Sequence, residues 1–146
     1  MAMQIILTQD VNNLGLVHKN LGQWSEATRC LEQALRLNEK IGNYALVATQ
    51  CLNIGILRYR RGEWDLAEES LLRARQMMAE TEDASGDVQV GLSLGNLHRR
   101  RRQFASARDL YRKARVLAEK QGLRRELILA DEFEAELDLE ENAIAP

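Results

Sequence analysis

IGILRYRRGEWDLAEESLLRA, residues 54–74, decides the fold of this chain. It pairs Ile54 with Gly55, breaks at Gly62, resumes on Trp64 and sets Ala67 and Ala74 seven residues apart. Forty residues earlier stand Leu14-Gly15, Gly22, Trp24, Ala27 and Ala34. Forty residues later stand Leu94-Gly95, Phe104, Ala107 and Ala114, with Arg102 in place of the turn glycine. Leu31, Leu71 and Tyr111 keep the same register. An internal repeat of this length predicts a solenoid of stacked helical hairpins. Such an architecture offers a long surface and builds no catalytic pocket of its own.

Apolar spacings of three, four and seven predict seven helical segments. They cover about 3–21, 24–41, 44–61, 64–80, 87–102, 104–121 and 124–141, with a polar connection over 81–86. The last does not carry the repeated pattern. Gly15, Gly55 and Gly95 fall inside helices, where glycine costs about 1 kcal/mol relative to alanine. Three such costs in register imply that another helix passes very close, with Ala27, Ala67 and Ala107 as the expected opposing surface.

Composition agrees. Of 146 residues, 29% are charged and 45% hydrophobic, and the one proline is Pro146, as in a helical globular domain. The formal net charge of −2 argues against general nucleic-acid binding. No apolar run approaches a membrane span, and the first residues do not form a secretory signal, so an intracellular, cytoplasmic protein is expected. Cys30 and Cys51 each fall on an apolar stripe with no metal-ligand spacing, and read as small buried hydrophobes. His18 and His98 share a register and read as packing residues.

These residues resemble the tetratricopeptide repeat family over about residues 4–121. The resemblance implies an all-α, right-handed superhelical solenoid of three hairpins (about 4–42, 44–82 and 84–122) in a single domain, closed by a capping helix over 124–141. The usual period is about 34 residues. The 40-residue spacing is similar to the longer-helix variety of kinesin light chains, cell-polarity adaptors and many bacterial regulators. The family's closing proline is absent from all three repeats.

In this family the first helix of each hairpin lines a concave groove. The resemblance therefore nominates Asn12, Asn13, Leu16 and Asn20 from the first repeat. Leu52, Asn53, Ile56, Tyr59 and Arg60 come from the second, and Gln89, Leu92, Asn96, Arg99 and Arg100 from the third. Longer-repeat relatives use asparagines as a ladder along an extended peptide, which assigns that role to Asn13 and Asn53, with Ser93 a weaker rung. An asparagine side chain both donates and accepts, as a peptide backbone does. It can equally bond neighbouring helices. The clamp that holds chaperone C-termini is not matched: its positions carry Asn12, Leu16, Gln89 and Ser93, and Asn53 alone fits.

His98-Arg99-Arg100-Arg101-Arg102 forms a basic run at a predicted helix end, where cations complement the helix dipole. Read functionally, it would meet acidic or phosphate groups. The stretch from Glu126 to Glu141 carries eight acids and no base. It reads as a solvating cap, or as a helix whose acids lean on the arginines of the third repeat. No nucleophile, phosphate loop, metal or cofactor motif is present. The sequence thus predicts a non-enzymatic protein-interaction module holding a protein or peptide partner, one with acidic groups among the candidates. The alternatives are a regulatory sensor segment of a larger signalling protein or transcription regulator, and anion or nucleic-acid binding through the arginines.

Overall fold

The structure, a computed structural model, describes residues 23–144, and every described element is a helix. They are α1 (Trp24–Ile41), α2 (Tyr44–Arg60), α3 (Trp64–Glu80), α4 (Ala84–Arg100), α5 (Phe104–Gln121) and α6 (Arg124–Ile144). Consecutive helices pack in pairs. The helix expected over 3–21, with Gly15 and His18, lies outside the described residues. The chain divides into two compact units, Met1–Met77 and Met78–Pro146.

Each connection turns on one left-handed residue: Gly42 (φ 76°), Gly62 (φ 81°), Glu82 (φ 55°), Arg102 (φ 62°) and Gly122 (φ 68°). The two non-glycine positions cost about 1–2 kcal/mol each. After every turn a backbone N–H reaches back to the helix just ended. Asn43 donates to the Asn38 carbonyl, Glu63 to Arg58, Asp83 to Met78, Gln103 to His98 and Leu123 to Ala118, at 2.8–2.9 Å. This bond closes a helix by satisfying a carbonyl that has no partner within it.

Five helix starts fall as the sequence predicts among the six described helices, and one differs. α4 begins at Ala84, so the connection is shorter than the expected 81–86. Asp83 is the reason: its Oδ1 accepts from the Gly86 N–H at 2.9 Å, capping the helix ahead of the Ser85-Gly86 pair.

In the first unit, Ala27 and Leu31 of α1 pack on Ile54 and Leu57 of α2, with Trp24 and Leu35 at the border. A Cβ on Gly55 would lie 2.7 Å from Leu71 Cδ2, so α2 and α3 touch at closer than side-chain distance. In the second unit a Cβ on Gly95 would enter the Tyr111 ring, 2.7 Å from Cδ1. The glycines therefore admit the large residue four positions after Ala67 and Ala107, rather than those alanines themselves. Tyr111 then packs with Val88, Leu92, Ala107, Ala114, Ala130 and Leu137, and its ring centroid is 5.8 Å from that of Phe133 in α6.

Candidate functional site

Helices α2 and α4 are buried along most of their circumference, because each packs against neighbours on two sides. Beyond the first turn, four accessible positions in each fall in one register. On α2 these are Thr49 and Arg60, exposed, and Asn53 and Ile56, half-buried. On α4 they are Gln89 and Arg100, exposed, and Ser93 and Asn96, half-buried. Spacings of four, three and four keep each set on one helical face. Each unit thus presents a stripe with a hydrogen-bonding side chain near its start and a guanidinium at its end.

Leu52 and Leu92, which the sequence nominates to hold partner side chains, are 4% and 3% exposed. They belong to the core, and Thr49 and Ser93 are among the accessible positions instead. Tyr59 is half-buried. Asn12, Asn13, Leu16 and Asn20 lie outside the described residues. Asn96 has a structural role as well: its Oδ1 accepts from the Tyr111 hydroxyl at 2.6 Å, which ties α4 to α5.

Several arginines are engaged by other side chains of the chain. Arg58 donates to Ser70 Oγ at 2.8 Å and to Glu32 Oε1 at 3.1 Å, and so lies in a cleft among α1, α2 and α3. Arg61 pairs with Glu63 at 3.3 Å. Arg99, nominated to meet acids of a partner, meets acids of its own chain: Glu136 at 2.7 Å and Glu140 at 3.8 Å, with its side chain 12% exposed. Burial is the largest influence on its pKa and lowers it. The hydrogen bond to Glu136 leads the influences that together raise it above the ordinary arginine value.

α6 is seated on α5 by a larger set of such pairs. Arg108 reaches Asp138 at 2.5 Å, Glu141 at 2.7 Å and Glu134 at 3.5 Å. Arg112 reaches Glu134 at 3.0 Å. Arg115 pairs with Asp131 at 3.0 Å and also with Glu134. This is the arrangement in which the acids lean on the third repeat's arginines. Its signal lay in the register. Glu134-Ala135 stands where Ile54-Gly55 and Leu94-Gly95 stand, so a carboxylate replaces the apolar residue that meets the preceding helix. Arg108, Arg112 and Arg115 share one face of α5, as Asp131, Glu134, Asp138 and Glu141 do of α6.

Cys30 and Cys51 are free and buried, and burial pushes the Cys51 thiol up despite Arg73 and Arg58 nearby. A raised thiol pKa keeps the group protonated and weakly nucleophilic. Among the described residues no group of His, Cys, Asp or Glu is arranged to hold a metal ion, and no helix is long and apolar enough to cross a membrane.

Family models described as tetratricopeptide repeat match residues 7–80 and residues 92–120. No curated protein matches the sequence. Among solved structures, the chain is similar to aspartyl phosphate phosphatase F from Bacillus subtilis, with 20% identity and a TM-score of 0.82. That match covers 92% of this chain and 34% of the other, so this chain spans about a third of its length. It is also similar to BtubC (BKLC) from P. vanneervenii, with 15% identity and a TM-score of 0.71 over 98% of this chain and 67% of the other. At these identities the likeness is one of fold.

Proposed function

The chain belongs to the tetratricopeptide repeat family, and from that premise we propose that it is a protein-interaction module that binds a partner segment along its accessible first-helix stripes. It acts by binding rather than by catalysis, in the cytoplasm, and without a cofactor. Its 40-residue period supports reading it as one of the longer-repeat variety of the family.

The observation that carries this reading is the recurrence of the stripe. In two successive repeats the same four positions escape burial, while most of the residues between them, 50–52, 54, 55 and 57 in one and 90–92, 94, 95 and 97 in the other, are core. Asn53, Gln89 and Ser93 carry polar groups of hydrogen-bonding length at these positions, and Thr49 carries a hydroxyl that donates to the Ala45 carbonyl of its own helix at 3.2 Å. On each stripe, amide and hydroxyl groups can satisfy backbone N–H and C=O groups of an extended segment, which otherwise lose their water on docking. Ile56 adds an apolar contact on the α2 stripe. Arg60 and Arg100 at the stripe ends favour a partner with acidic groups.

A peptide-display selection against the folded chain, run in parallel on an Asn53→Ala/Gln89→Ala variant, tests the reading. Neither substitution touches the core, so the variant should keep its melting temperature. The wild-type chain should enrich a family of related peptides, and the variant should bind them at least about tenfold more weakly, the equivalent of one or two lost hydrogen bonds. Equal binding by both proteins would remove the stripes from the account.

A second reading has one observation in its favour. Because α6 lays four acids on the arginines of α5 and two more on Arg99, it behaves as a built-in acidic ligand. A regulatory segment, in which an acidic partner displaces α6, would use that arrangement.

A further inference from the structure

An open pocket of about 380 Å³ lies where the end of α4, the start of α5 and the end of α6 meet. Arg99, Arg100 and Arg102 line it, with Glu140, the Phe104 ring and Ile144. Three guanidiniums and one carboxylate line the pocket, and Arg99 is engaged on Glu136 and Glu140. Arg100 and Arg102 are exposed, and Phe104 is half-buried.

Two comparisons within the chain separate this pocket from what the repeat itself builds. In the first unit, Trp24 and Trp64 are in register with Phe104, and among the described residues the pocket beside Trp24 is lined by one guanidinium, Arg61, together with Glu26. Of these two pockets, the one beside Phe104 has more guanidiniums in its lining. Arg102, moreover, holds a left-handed backbone at φ 62° where Gly62 stands at φ 81° in the second repeat. The turn is better served by glycine, so the arginine is present at a cost to the backbone and its reason lies in the side chain.

We propose that this pocket binds a phosphate monoester on an apolar carrier, the group that a phosphorylated aromatic side chain of a protein partner presents. Guanidinium forks match phosphate oxygens in pairs, and three arginines from the end of α4 and the turn after it line this pocket. Phe104 and Ile144 give the carrier an apolar wall, which a free inorganic ion would leave unused. The proposal deepens the reading of the stripes, because Arg100 both ends the α4 stripe and lines the pocket. It adds an anchoring group to the partner.

Calorimetric titration of the whole chain tests it, with phenyl phosphate, inorganic phosphate, and a tyrosine peptide in phosphorylated and unphosphorylated forms as probes. Phenyl phosphate should saturate one site and bind more tightly than inorganic phosphate. Arg102→Gly should weaken phenyl phosphate by about tenfold, the loss of a charge-assisted contact. The same variant should keep or raise the melting temperature, since it relieves the backbone, so lost binding could not be put down to unfolding. Asn53→Ala/Gln89→Ala should leave phenyl phosphate binding unchanged, which separates failure of the pocket from failure of the stripes. A phosphorylated peptide that binds more tightly than phenyl phosphate identifies the source as a protein partner. Equal affinities identify a small organic phosphate and leave the site chemistry standing. No saturable binding of phenyl phosphate at millimolar concentration, or the same affinity in Arg102→Gly, would overturn the proposal.

Discussion

Gly95→Leu is expected to lower the stability of the chain by about 3 kcal/mol, at the upper end of the cost of overpacking a core. Even a single Cβ at this position would enter the Tyr111 ring. Tyr111 cannot yield: it is fully buried, packs on Phe133, and its hydroxyl is held by Asn96. The helices must therefore separate, and separation strips Val88, Leu92 and Ala114 of contacts as well. In a chain of this size the loss corresponds to roughly 10 °C in melting temperature. Gly91→Ala supplies the control four residues away on the same helix. There a Cβ would meet only the Ala114 methyl at 3.5 Å, an ordinary contact, so the substitution should be neutral or gain up to about 1 kcal/mol from helix propensity. Melting followed by circular dichroism reads both. Equal effects at the two glycines would contradict the close crossing.

Glu134→Ala is expected to cost about 2–3 kcal/mol, because it takes from three guanidiniums the carboxylate they share. The Glu134 side chain is 11% exposed and meets Arg108, Arg112 and Arg115. Arg112 and Arg115 are partly in water, which holds the penalty below that of a fully buried pair. Glu132→Ala, on an exposed acid of the same helix, should change stability by less than about 0.5 kcal/mol. The denaturant midpoint measures the total. Hydrogen exchange locates it: α6 amides should lose protection in Glu134→Ala while those of α2 keep theirs. Uniform loss across the chain, or no loss, would mean that α6 is seated by its apolar residues alone.

The turns were the most legible part of the chain. Gly42, Gly62 and Gly122 mark helix ends because a left-handed residue is needed there, and glycine takes that conformation without strain. The start of α4 was hidden because Ser85 and Gly86 carry the composition of a loop. Asp83 overrides them by capping the helix, and an aspartate in a polar stretch gives no sign of whether it caps or is merely solvated. For the candidate site, the sequence nominated positions on first helices without resolving which of them are accessible. A helix packed on two sides shows apolar residues nearly all round, so periodicity could not separate Leu52 from Asn53, or Leu92 from Ser93. Burial separates them. The pairing of Arg108, Arg112 and Arg115 with Glu134 needed the fourth helix-A register to be extended through a segment that had lost its Leu-Gly signature.

Partner binding along the two stripes is the central claim, and amide chemical-shift mapping tests it most directly. The isotope-labelled chain would be titrated with the peptide that display selection enriches most. The account predicts shifts concentrated at Thr49, Asn53, Ile56, Gln89, Ser93 and Asn96, with Val116, exposed on α5, unmoved. Shifts centred on Val116 and the outer faces of α3 and α5, with the stripes silent, would contradict it.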